Sequence, residues 1–305
     1  MLADGHRVHV IDNLSTGNLD NLEEVADSIT VHEIDIRDYD RIVSVIAGAW
    51  RVFHLAALPS VPKSILDPVS SHESNIDGTF NVFRAAAEGK AGRVIYAGSS
   101  SAYGDTAVLP KVESMLPKPK SPYALQKLVG EYYASVFAEC FGLPTVSLRF
   151  FNVFGPRQDP TSVYSGVLSL FLTALIERRC PTIYGDGNQS RDFTYVEDVV
   201  GLLLKASETE GVSGQVFNAG NGNRYTLNHT WEVLQKIEGV DLPPHYGPPR
   251  PGDVRDSQAD VTAAVEQLGH VPRFTFEQGL RLTLDWYRKH SFAKTNPVGF
   301  KSGSH

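Results

Sequence analysis

The chain has 305 residues, a length that accommodates two domains or one domain with a large appendage. Apolar residues make up 42% and charged residues 21%, which excludes a disordered, collagen-like or coiled-coil chain. The net charge of −7 argues against a general nucleic-acid binder but leaves room for an anionic ligand held by a few placed arginines. In chain order, residues 7–11 (RVHVI) and 29–36 (ITVHEIDI) are β-branched runs that stop at acidic residues, and both predict strands. Residues 51–57 (RVFHLAA), 93–97 (RVIYA) and 145–150 (TVSLRF) repeat the pattern, each after a stretch with helical spacing of apolar residues. The clearest helices are residues 75–87 and 123–141. Near-continuously apolar strands alternating with helices predict a parallel sheet covered on both faces, a doubly wound α/β layer.

After residue 152 the texture turns to Gly, Pro and Asp punctuation, with a helix expected near 166–179 and short strands near 182–184 and 216–218. Residues 241–253 (DLPPHYGPPRPGD) read as a loop. The chain is therefore divided into residues 1–152, residues 153–290 and a disordered tail at 291–305. Residues 192–206 form a strand and helix able to rejoin the first layer. Cys140 and Cys180 offer neither a disulfide framework nor a metal cluster, so no metal is expected, and both read as buried small hydrophobes. No stretch is apolar enough to span a membrane and no targeting pattern is visible, so a cytoplasmic protein is expected.

Tyr123 and Lys127 stand one helical turn apart, so both side chains project from one face. An ammonium beside a phenol stabilises the phenolate, which makes a weak base usable near neutral pH. Alone, this spacing is common and weak evidence. The strand at 93–97, however, leads into Gly98, Ser99, Ser100, Ser101, Ala102, Tyr103 and Gly104, placing three hydroxyls at a strand's carboxyl end. That edge of an open parallel sheet is where ligands bind.

Ser99 to Ser101, residues 123–127 (YALQK) and residues 12–14 (DNL) together resemble the extended short-chain dehydrogenase/reductase superfamily, over residues 2–288. Residues 149–160 (RFFNVFGPRQDP), 185–196 (GDGNQSRDFTYV) and 249–253 (PRPGD) narrow the resemblance to UDP-hexose 4-epimerases. It implies a Rossmann-like NAD-binding domain at 1–152 and a smaller substrate-binding region at 153–290. Cofactor contacts are implied for Asp12, Asn13, Asp35, Ile36, Leu55, Ala56, Ala57, Asn75, Tyr123 and Lys127. Asp12 at a strand end would accept from both adenosine ribose hydroxyls and repel a 2′-phosphate, which favours NAD over NADP. Without the resemblance, Asp12 also reads as a helix N-cap and Asp35 as a turn residue.

Catalysis is implied for Ser99, Tyr123 and Lys127, through a transient 4-keto sugar that rotates before it is reduced again. Substrate contacts are implied for Ser100, Ser101, Asn152, Tyr184, Arg191, Arg250, Asp253 and Ser257, with the two arginines clamping the diphosphate. A small residue at Ser257 implies room for an N-acetyl group. Dehydratases of this kind carry an acidic pair where Ser100 and Ser101 stand, and decarboxylases a glutamate where Ala102 stands. The expected partner is a UDP-sugar, and a homodimer is implied through helices 75–87 and 123–140. One departure is evident: no strand with a Gly-x-x-Gly-x-x-Gly turn precedes Arg7. Two exposed ladder edges are expected from that, and a catalytically silent nucleotide-sugar binder or a UDP-glucuronate 4-epimerase stand as alternatives.

Overall fold

The structure, a computed structural model, describes residues 1–158, 166–249 and 254–295. Strand β1 (Val8–Asp12) runs parallel to β2 (Ile29–Glu33). Strands β3 (Val52–His54), β4 (Val94–Ser99) and β5 (Thr145–Phe150) form a second parallel sheet, with the strand Gln215–Ala219 on the far side of β5. Strands β4 and β5 are buried along nearly their whole length, which is why their sequences are continuous apolar runs without alternation.

Helices Tyr39–Ile46, Gly78–Glu88 and Pro122–Phe141 cover one face, closing over Ile42, Phe83, Val94 and Phe137. Helices Val196–Glu208 and Thr262–Leu268 cover the other, over Ile95, Val146, Leu148 and Phe217. Among the described residues β1 and β2 pair only with each other, so β1 and β3 each keep one edge without a strand partner. Ile11 and Val52 nevertheless pack on the same apolar cluster, which joins both sheets into one layer.

Beyond residue 152, helices Val167–Ile176, Leu227–Glu238 and Phe276–Thr295 build a second core around Phe171, Trp231, Leu280 and Tyr287. The chain returns to the first layer twice, because Val196–Glu208 packs on β4 and β5 and Gln215–Ala219 pairs with β5.

The structure departs from the sequence reading in three places. Within the loop expected at 241–253, the strand His245–Gly247 pairs in parallel with Thr182–Tyr184; prolines on both sides mask so short a run. The last helix continues through Thr295, five residues into the expected tail, because a helix anchored by packing extends at little cost. Cys140 is exposed and Cys180 half-buried, neither being a core residue, since Cys140 falls on an outward face of its helix. Among the described residues no helix is long and apolar enough to cross a membrane, and no cluster of three or more metal-ligating side chains is present.

The helix Pro122–Phe141, called here the site helix, carries its own start and stop signals. Ser121 caps it by accepting from the Ala124 amide at 3.2 Å, Pro122 opens its first turn, and Gly142 ends it in the left-handed conformation. It meets β4 so closely at Gly130 that a β-carbon there would overlap the buried Tyr96 hydroxyl. Glycine to alanine inside a helix ordinarily stabilises by about 1 kcal/mol. Gly130→Ala is expected to destabilise instead, by about 1–3 kcal/mol of overpacking, read from urea unfolding midpoints.

Candidate active site

The carboxyl end of β4 and the first turns of the site helix converge. Ser99 is the last residue of β4, and its Oγ accepts from the Ser101 amide at 3.2 Å and shares a 2.8 Å hydrogen bond with Ser101 Oγ. The Tyr123 amide donates to Ser64 Oγ at 3.1 Å, which fixes the start of the site helix against the short helix Val61–Leu66. From there the Tyr123 phenol reaches Ser99: burial pushes its pKa up, and the hydrogen bond with Ser99 pulls it back. Ser99 and Tyr123 are thus brought together as the sequence implies.

Lys127, one turn on, is only 4% exposed. Its ammonium lies 4.9 Å over the Tyr96 ring, and among the described residues it has no hydrogen-bonding or ion-pair partner. Burial pulls its pKa down to about 8, against an upward pull from Glu131. Between about 8 and the ordinary lysine value, unfolding takes up a proton, so this group's contribution to stability rises with pH across that window. His54, at the end of β3, is held neutral by burial and by Lys127, with its pKa pushed down to about 3, and its Nε2 meets Thr79 Oγ1 at 2.9 Å. Lys127 is therefore the local cation. Its expected lowering of the Tyr123 pKa is not seen here, because the ammonium sits over Tyr96 and the phenol is governed by burial and Ser99.

Asn75 sits in a π-helical turn, Glu73–Asp77, that interrupts the run leading into Gly78–Glu88, and such turns recur at functional sites. Its Oδ1 accepts from the Leu58 amide at 2.8 Å, while Nδ2 donates to Leu58 O at 3.2 Å and to Gln126 Oε1 at 2.9 Å. Asn75 thereby ties the loop after β3 to the site helix between Tyr123 and Lys127. In that loop Leu55 is 51% exposed, with Ala56 and Ala57 half-buried.

At the end of β1, Asp12 Oδ1 accepts from the Leu14 amide at 2.7 Å, and a β-carbon at Gly17 would stand 2.8 Å from Oδ2. Asn13 and Asp35 bind each other, Nδ2 to Oδ2 at 2.8 Å, and Arg37 donates to both Asp35 oxygens through Nε at 3.0 Å and Nη2 at 2.9 Å. Asp35 is held down to about 2, chiefly by Arg37. Its carboxylate serves this local network and accepts from the Arg37 amide at 2.8 Å, in keeping with the turn reading. Ile36 packs against Gly78, where a β-carbon would stand 2.6 Å from Ile36 Cγ1.

On the second region, Asn152 and Ser257 meet the backbone of Asp192, the neighbour of Arg191, whose buried carboxylate the sequence reading missed. Asp192 accepts from the amides of Asn221 at 2.7 Å, Gly222 at 3.0 Å and Ala259 at 3.0 Å. The Asn152 amide donates to Asp192 O at 3.0 Å, and the Asp192 amide donates to Ser257 Oγ at 3.4 Å. Arg191 Nη1 donates to the carbonyls of Ser190 and Arg255, each at 2.9 Å. Tyr184 ends the strand Thr182–Tyr184 and is half-exposed. Arg250 and Asp253 lie outside the described residues. Only the position of Asp192 beside Arg191 could have signalled it, and a carboxylate beside an arginine ordinarily reads as a surface ion pair.

Residues 1–220 match the NAD dependent epimerase/dehydratase family. The chain belongs to this family. It is 35% identical to a UDP-glucose 4-epimerase of Mycolicibacterium smegmatis over 95% of this chain and 94% of that one. Among solved structures it is similar to a UDP-glucose 4-epimerase of Thermotoga maritima with UDP-glucose, at TM-score 0.90 and 37% identity, covering 94% and 93% of the two chains. It is also similar to a UDP-N-acetylglucosamine 4-epimerase of Methanobrevibacter ruminantium in complex with UDP-N-acetylmuramic acid, at TM-score 0.89 and 37% identity, covering 93% and 91%. Relatives with other reactions match too. A Bacillus cytotoxicus UDP-N-acetyl-alpha-D-glucosaminuronate decarboxylase and a Streptomyces niveus dTDP-glucose 4,6-dehydratase are each 31% identical, over 93% and 94% of this chain and 91% and 85% of theirs.

NAD is the family's cofactor, and the residues present fit it at both ends. The buried ammonium of Lys127, without a protein partner among the described residues, is the donor a nicotinamide ribose diol would satisfy. Asp12, with Gly17 leaving space before Oδ2, suits the adenosine ribose. Dinucleotide released from the purified protein is therefore expected to be NAD almost without NADP. Asp12→Ser, which removes the repelling charge, should raise the NADP share by about tenfold in chromatography of the released dinucleotide.

Proposed function

We propose that this family member is a UDP-hexose 4-epimerase that interconverts UDP-glucose with UDP-galactose and the corresponding N-acetylated pair. The observation that carries this reading is the hydroxyl pair Ser99 and Tyr123, flanked by Ser100 and Ser101 rather than by carboxylates. Elimination of water needs an acid to protonate the leaving hydroxyl. Two carboxylates, the buried Glu131 and the half-buried Glu113, have protein partners of their own: Glu131 is bound by Arg149, and Glu113 accepts from the Asn218 amide at 2.7 Å. Epimerisation needs only a base, a two-electron acceptor and room for the sugar to turn.

NAD, when bound, supplies the two-electron oxidation of the sugar C4 and its reversal. The chain's part is proton transfer and grip. Ser99 orients the sugar 4-hydroxyl, and Tyr123 takes its proton and later returns it. Lys127 holds the nicotinamide ribose, for which its buried ammonium has no competing protein partner among the described residues. Arg191 and Arg250 grip the diphosphate away from C4 and leave the hexose free to present its other face.

The N-acetylated pair is supported by Ser257, whose short side chain is turned onto the Asp192 amide and adds no bulk to the pocket. The homodimer reading is supported by Phe80, Leu125, Tyr132 and Val136, large apolar side chains left exposed on the helices Gly78–Glu88 and Pro122–Phe141.

The test is incubation of the purified protein, without added cofactor, with UDP-glucose and with UDP-N-acetylglucosamine, followed by chromatography for the 4-epimers. Both epimers are expected. Ser99→Ala and Tyr123→Phe should each lower kcat by about 10²–10⁴-fold with the fold retained. A protein that carries NAD yet returns both sugars unchanged, or yields a product lighter by one water, would overturn the proposal.

A further inference from the structure

Glu131 is a buried charge that the proton-transfer pair does not use. It follows Lys127 by one turn of the site helix, on the same face as Tyr123 and Lys127. Arg149 on β5 donates to it through Nε at 3.1 Å to both oxygens and through Nη2 at 2.8 Å to Oε2, and both side chains are almost wholly buried. Buried ion pairs are weak stabilisers, since well-packed apolar residues of like volume often do as well or better. Stability alone is a poor account of this one.

The surroundings are built to keep the carboxylate where it is. A β-carbon at Gly98, the residue before Ser99, would stand 2.7 Å from Glu131 Oε1, so the strand leaves space for it. The Arg149 guanidinium lies 4.6 Å over the Tyr103 ring, and Tyr103 donates to Asn218 Oδ1 at 2.6 Å. Arg149 Nη1 also donates to the Glu113 carbonyl at 3.4 Å. On the other side stands Lys127, faced by neutral His54 on β3, by Tyr96 on β4, and by Glu131 on its own helix. Among the described residues no direct salt bridge joins Lys127 to Glu131, so the carboxylate acts through the low-dielectric interior.

We propose that Glu131, locked by Arg149 and one helical turn from Lys127 on the same buried face, is a positioning residue that keeps the Lys127 ammonium charged and in place for the nicotinamide ribose. This rests on the reading of Lys127 as part of the active site. Burial alone would carry Lys127 further from its ordinary value, and Glu131 is the one group that opposes it.

Carbon-13 NMR of the lysine ε-carbons, in the protein as purified with NAD, reads the Lys127 titration directly, with Lys127→Arg to assign the signal. Glu131→Gln is expected to move that titration down by about one pH unit. The alkaline limb of kcat should move down with it, while KM for the UDP-sugar stays within about twofold. Glu139→Gln, on an exposed position of the same helix, should move neither. If Glu131→Gln does not fold, the double variant Glu131→Gln/Arg149→Met removes both members of the pair and is expected to move the titration in the same direction by a smaller amount, since the repulsion from the guanidinium goes with it. A Lys127 titration unchanged in the folded variant, or failure of both variants to fold, assigns the pair to structure alone and overturns the proposal. Absence of turnover in the unmodified protein would instead strike at the epimerase reading, while the NMR shift would still decide this one.

Discussion

The close approach of the site helix to β4 is the contact on which the rest of this structure depends. Gly130 lies against Tyr96 and Gly98 makes space for Glu131, so helix and strand meet at two points where a methyl group would already collide. At that separation, residues 123, 127 and 131, each one turn apart, all look onto β4, and parallel strand order puts Ser99 at its carboxyl end beside the first of them. Ser121, Pro122 and the Ser64 hydroxyl then fix where the helix begins. A helix started one residue earlier would turn Tyr123 by about 100° away from Ser99. The relative placement of Ser99 and Tyr123 is thus set by the fold itself, and in the proposed reaction that preorganisation lowers the barrier.

The same contact links the two halves of the chain. Arg149 leaves β5 to hold Glu131, stacks on Tyr103, and through Tyr103 meets Asn218, whose amide nitrogen also donates to the carbonyls of Lys111 and Asp260. Asp192 does the corresponding task on the second region, drawing the amides of three separate segments onto one buried carboxylate. Segments far apart in the chain are held in one arrangement by these two hubs. Both are buried and fully hydrogen-bonded, the condition under which polar interior networks specify a single geometry.

Much of this was legible in the sequence, and what was not has a common cause. The doubly wound layer shows in strands with continuous apolar runs, and the Ser99, Tyr123 and Lys127 constellation shows in a serine run after a strand and a one-turn spacing. These are local signals. Glu131 continues the same spacing and was readable in principle, but its meaning depends on Arg149, 18 residues away on a different element. Asp35 reads as a turn residue, and the Arg37 amide does close on it, but nothing near it in sequence reveals that Asn13, 22 residues away, joins them. Asp192 could not be told from a surface charge, since its three amide partners come from segments 29 to 67 residues away. The strand His245–Gly247 exists because Thr182–Tyr184 lies beside it, a pairing that three residues between prolines cannot announce.

The proposed epimerisation moves one proton and one hydride at C4 and removes nothing from the sugar. UDP-glucose deuterated at C4 tests it most directly, with the position of the label in the product read by NMR and mass. Epimerisation is expected to give UDP-galactose that keeps the deuterium at C4 and the full mass of the substrate. Deuterium found at C6 in a product that has lost water would contradict it, because the hydroxyls at the end of β4 would then be supporting an elimination.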